Sequence, residues 1–147
     1  MNRVVLLLSL LLLQANASAA SVDVCPILPS GAGVEWKHSR GSDFDVCYAT
    51  RGNSKLSLFG IYLGNFPSFR PEGHEVLASG NVAGMQVTWY SPDADEDVGR
   101  YSRQTAIELG SKWPAVAHVW VNADTEADLD EALSILAKIQ FRDVVLP

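Results

Sequence analysis

Apolar positions along the chain fall into three successive patterns, and each predicts a different kind of element. The first is an unbroken run, Val4 to Leu13, preceded by Arg3 and followed by the small residues of Ala15-Asn16-Ala17-Ser18-Ala19-Ala20. A basic start, a short apolar stretch and a small-residue exit make a secretory signal peptide. Residues 1–20 are therefore expected to be a leader, and 21–147 a single globular domain. The run is about half of the roughly 20 residues that a spanning helix needs, and no later stretch is longer, so stable membrane insertion is not expected.

The second pattern is alternation with period two. Ser21 to Gly33, punctuated by Pro26, Pro29, Gly31 and Gly33, predicts an irregular lead. Gly33 to Lys37 (GVEWK) predicts a short strand and His38 to Asp43 (HSRGSD) a turn. Phe44, Val46 and Tyr48 then alternate with Asp45, Cys47 and Ala49 in strand fashion, up to a turn at Arg51-Gly52-Asn53-Ser54. Lys55 to Leu63 (KLSLFGIYL) is apolar almost throughout, which fits a central strand covered on both faces. Glu75 to Ala78 and Val82 to Tyr90 flank Ser79-Gly80-Asn81, whose Gly-Asn pair supplies the positive φ angles of a tight hairpin turn. In the second arm Met85, Val87 and Trp89 face one way and Gln86, Thr88 and Tyr90 the other, so one side is expected to be buried.

The third pattern has helical spacing. Ser91-Pro92 followed by Asp93, Asp95, Glu96 and Asp97 reads as a helix start, with proline in the first turn and acids at the positive end of the dipole. Val98, Tyr101, Thr105, Ala106 and Leu109 supply its stripe and Gly110 its stop. Ala115 to Val121 (AVAHVWV) returns to a buried strand. Thr125-Glu126-Ala127-Asp128 resembles a capping box, and Leu129, Ala132, Leu133, Leu136 and Ile139 share one face of a final helix. Strands first, then helix, strand and helix (ββββ-α-β-α) predict an α+β fold: a mostly antiparallel sheet with two helices in the C-terminal half.

Composition narrows the setting. With 48% hydrophobic and 19% charged residues in 147, and no biased tract, a disordered tail and a fibre are excluded. Without Arg3, ten Lys and Arg stand against seventeen Asp and Glu, a net charge of −7 for the mature domain. Phosphate binding needs clustered cations that release counterions, and the basic residues here are scattered singly, so nucleic acid is not an expected partner. An acidic surface instead favours encounter with a cationic protein. The two cysteines, Cys25 and Cys47, would close a loop of about 22 residues as a disulfide in an oxidising compartment, periplasmic or extracellular.

Motifs for chemistry are thin. His38, His74 and His118 have no zinc-type spacing with one another or with cysteine, so neither a metal nor another cofactor is expected. His118 lies in the predicted buried strand and reads as a satisfied core or edge histidine. Asp93, Asp95 and Asp97 have the first, third and fifth oxygen ligands of a calcium loop, but Val98 occupies the glycine position and Gln104 the closing glutamate position. There is no G-x-S-x-G elbow, and Ser39 and Ser68 lie in turn-like segments without an orienting acid, so catalysis is not expected.

The segment Gly64 to His74 (GNFPSFRPEGH) stands out: a loop by its two prolines and its glycines, yet carrying Phe66, Phe69 and Arg70. Aromatic and Arg side chains on a stiff loop suit recognition, because ordering them on contact costs little entropy. The chain thus reads as a secreted or periplasmic non-catalytic binding protein, of an inhibitor or immunity type, against a cationic partner such as a cell-wall hydrolase. Phe66, Phe69 and Arg70 are its expected contacts, with Asp93, Asp95 and Asp97 assisting encounter. The alternatives are an envelope accessory protein without inhibitory action and, less favoured, an unrecognised hydrolase.

Overall fold

The computed structural model describes residues 24–94 and 98–142; the expected leader, Asp95 and Asp97 lie outside them. The elements are β1 (Glu35–Arg40), β2 (Asp45–Thr50), β3 (Ser57–Gly64), β4 (Val76–Val82), β5 (Met85–Tyr90), β6 (Arg103–Glu108), β7 (Val116–Val121) and α1 (Glu126–Leu136). All strands join one seven-stranded antiparallel sheet in the order β1-β2-β3-β7-β6-β5-β4. Among the described residues no helix is long and apolar enough to cross a membrane.

Register explains the core. Residues directly opposite in an antiparallel pair share a face, so Cys47, Ile61, Val119 and Thr105 form one continuous row and Ala49, Phe59 and Val121 the next. These residues are almost inaccessible to solvent, and α1 packs its Leu129, Ala132, Ile135 and Leu136 into the same cluster. Thr125 caps the helix by accepting the Asp128 amide, as the capping-box pattern predicts. Cys25 and Cys47 form the disulfide, which fastens the lead to β2. An Ile27–Gln140 bridge and a 2.7 Å bond from the Trp36 indole to the Pro26 carbonyl hold the lead further.

Three expectations are corrected, and the face of β2 that enters the core is settled. The stripe from Val98 to Leu109 does not make a helix: Arg103–Glu108 is β6, and the fold has one described helix. Thr105 and Ile107 point into the core while Gln104 and Ala106 take the opposite face, a period-two pattern that pairing with β7 selects over a weak helical one. The hairpin turn is at Ala83-Gly84, with φ of 51° and 78°, the two positive angles of a type I′ turn, and Gly80 lies inside β4. Gly80 serves packing there: a Cβ on it would sit 2.6 Å from the indole nitrogen of Trp89, itself fully buried. β1 runs on through His38 to Arg40, where a turn is expected, because the His38 Nε2 meets the buried Asp45 carboxylate at 2.6 Å. In β2 the set starting with the polar residue, Asp45, Cys47 and Ala49, is the core face, which leaves Val46 and Tyr48 on the side away from α1.

Candidate functional site

That second face of the sheet carries most of the half-buried aromatic residues. Tyr48, Gly60, Trp120 and Gln104 are register partners across four strands. The Trp120 ring lies across Gly60, where a Cβ would overlap it, and Tyr48 meets the same ring edge-on at 6.0 Å. One row along, His118 sits 5.4 Å from Trp120, and Tyr62 stacks with Phe44 at 5.4 Å.

The 65–74 loop closes over one end of this face and separates the two phenylalanines of the expected contact set. Phe69 turns inward: it is 4% exposed, stacks on His118 at 5.2 Å and 18°, and lies 5.8 Å from Tyr90. Phe66 turns outward and is 75% exposed. The loop is pinned on either side of the 67–69 stretch. Asn65 accepts the Ala115 amide at 3.2 Å, the Phe66 amide donates to the Tyr62 hydroxyl at 3.2 Å, and the His74 amide donates to the Pro71 carbonyl at 3.2 Å. Arg70 is exposed on the same loop.

Beneath the loop runs a polar chain. The Ser91 carbonyl accepts from His74 Nδ1 at 3.0 Å and from Gln104 Nε2 at 3.1 Å. With its amide nitrogen donating, Gln104 presents Oε1 as an acceptor, so His118 donates from Nε2 across 3.0 Å and its tautomer is set. Burial pushes the His118 imidazole down to about 4, against a smaller opposing pull from Asp93, so the ring is neutral at pH 7. Asp93, exposed, lies 3.2 Å from His74 Nε2. Of the acidic run it alone is described, and Asp95 and Asp97 fall outside the described residues.

At the opposite end of the sheet from the loop, a cleft of about 700 Å³ is bounded by the 51–56 turn, the start of α1 and the ends of β2 and β3, and draws on residues of both faces. Tyr48 belongs to its wall, together with Lys37, Lys55, Asn122 and Asp124. Arg51 is also there, but Glu131 and Asp128 hold it, and the hydrogen bond with Glu131 raises its already high pKa. Thr125 and then Arg51 hold the Asp128 carboxyl below its usual range.

Among the described residues no three metal-ligating side chains converge. The hydroxyls of Ser91 and Ser102 accept the Glu75 and Ala123 amides, which turns both toward backbone capping. Sequence pattern points to the loop but not to Tyr48, Trp120 or the cleft. Those residues are scattered from Lys37 to Asp128, and only the long-range packing of strands, turns and the start of α1 brings them together; a local sign is Gly60, a glycine at the centre of the large-residue run of β3. The chain matches no protein-family model, no curated protein and no solved structure.

Proposed function

We propose that the protein is a secreted, non-catalytic binding domain for a cationic protein, an inhibitor-type partner of a basic cell-wall hydrolase, with Phe66 as its apolar contact. The observation that carries this reading is the division of labour in the 65–74 loop. Phe69 is buried as an anchor, and Phe66, 75% exposed, follows Asn65 in a loop held at its start by Tyr62 and Ala115 and at its end by the His74 bond to the Ser91 carbonyl. A large apolar ring on a pinned loop loses little freedom on contact, which favours affinity. The net charge of −7 without the leader supplies attraction toward a basic partner and repulsion from nucleic acid and anionic lipid. A leader sequence and a disulfide are both compatible with work in the periplasm or outside the cell.

The test uses a purified basic lysozyme and the mature protein in a surface-binding and lytic-inhibition assay. Phe66→Ala is expected to weaken binding by more than about 1 kcal/mol, roughly fivefold in Kd, with the melting temperature unchanged. Phe69→Ala is expected to cost about 3 kcal/mol of stability, the usual penalty of emptying a buried aromatic site. Binding by Phe66→Ala equal to wild type would remove the loop from the interface.

A further inference from the structure

The cleft at the end of the sheet has a chemistry of its own. Its volume of about 700 Å³ is in the size range of small-molecule sites, roughly 300–1,000 Å³. The wall is mixed: Leu56, Leu58, Val98 and Ala123 contribute apolar surface, with Leu56 77% exposed, and Lys37, Lys55, Asn122 and Asp124 stand among them, so a purely apolar ligand would leave these polar groups without partners. Phosphate is poorly matched too. Arg51 is already engaged by two carboxylates, and the first turn of α1 gives its Asp128 amide to Thr125 and carries the negative charges of Glu126 and Asp128. What the wall offers is a mixture of donors and acceptors at close quarters. Lys37 Nζ spends one donor on the Ser54 carbonyl at 3.2 Å and keeps the others, and Lys55 has no partner among the described residues. Asn122 donates its amide to the Ser57 carbonyl and hydroxyl, both at 3.2 Å, which leaves Oδ1 as an acceptor. Beside them stands Tyr48, 36% exposed and braced by Trp120.

Neutral hydroxyls that both donate and accept, around a ring with an apolar C–H face, complement this set: the electron-rich face of an aromatic ring attracts polarised C–H groups, and the amide and ammonium groups take the hydroxyls. We propose that the cleft between the 51–56 turn and the start of α1 binds a saccharide, with Tyr48 as the stacking ring, Asn122 and Asp124 accepting from hydroxyls, and Lys37 and Lys55 donating to them. The site is separate from Phe66 and does not depend on the protein-binding reading.

Chitotriose, cellotriose and a galacturonate trisaccharide, titrated separately into the folded protein and followed by amide chemical shifts and calorimetry, test it. At least one sugar should bind saturably with shifts at Tyr48, Asn122 and Trp120. Tyr48→Ala and Asn122→Ala should each lower its affinity by about tenfold or more, while Phe66→Ala leaves it unchanged. Binding confined to the galacturonate and lost in Lys55→Ala would place a carboxylated sugar in the site; binding of the neutral sugars would place an uncharged one. Unchanged melting temperatures keep the variants interpretable, and Tyr48→Phe, which retains the ring, should retain most of the affinity. Absence of saturable binding by all three sugars, or binding indifferent to Tyr48→Ala and Asn122→Ala, would overturn the proposal.

Discussion

His118 shows how much one residue decides on the outer face. Its ring fills the space between Phe69 and Trp120 and spends its Nε2 proton on Gln104, so it holds the loop anchor from below. Protonating it would place a charge among aromatic rings, and burial therefore depresses its pKa to about 4 from 6.5. The unfolded chain then binds a proton in the window between those values that the folded chain refuses. Stability is lost as pH falls from about 6.5 to about 4 and levels off below, with an upper limit of about 3 kcal/mol, less whatever solvent screens. Asp128, whose carboxyl is held low, acts in a different window, below its unfolded value of 3.8. His118→Gln keeps a donor for Gln104 and cannot titrate. Its denaturation midpoint should change much less than that of wild type between pH 7 and pH 4.5, whatever its absolute stability. An equal acid slope in both proteins would mean that the ring is accessible to protons.

Between elements, the disulfide is the most informative joint. Cys25 belongs to a lead with no regular structure of its own beyond one bridge, and Cys47 to the centre of β2. Closing a loop of 22 residues restricts the unfolded chain by roughly 3 kcal/mol. Cys25→Ser with Cys47→Ser should lower the melting temperature by on the order of 10 °C, measured calorimetrically, and leave partner binding at Phe66 intact. Elements with one strong cause are legible in the sequence: β3 through its apolar run, β7 through its branched and aromatic residues, α1 through its cap and stripe. Where two causes compete, sequence reading goes astray. Ser79-Gly80-Asn81 looks like a turn because Gly-Asn fits one, but the glycine is needed to admit Trp89, and Ala83-Gly84 turns the chain instead. The 103–108 segment satisfies both periods in part, and the choice falls to its neighbour β7, a long-range pairing that local pattern does not contain.

At the scale of the molecule, charge and shape act at different stages of binding. A loop with its apolar tip exposed is legible in composition, since prolines and glycines surround two aromatic residues; which ring turns inward is not, because Phe69 is chosen by His118 and Tyr90, contributed by β7 and β5. The cleft is a product of long-range packing between the sheet's end, the 51–56 turn and the start of α1. Long-range attraction, by contrast, depends on net charge and can be predicted from sequence alone. The seventeen acids should raise the association rate with a basic lysozyme at low salt, an effect that fades as the screening length falls to about 10 Å at 0.1 M and shorter beyond. Phe66 should govern the dissociation rate, because its contact forms only in the docked complex. Asp95→Lys with Asp97→Lys is therefore expected to slow association several-fold at low ionic strength and very little at high, with dissociation nearly constant, while Phe66→Ala should do the reverse. Stopped-flow association at a series of salt concentrations separates the two. If the charge reversals accelerate dissociation and leave association untouched, the acidic run makes direct contacts in the complex and the steering role assigned to it is wrong.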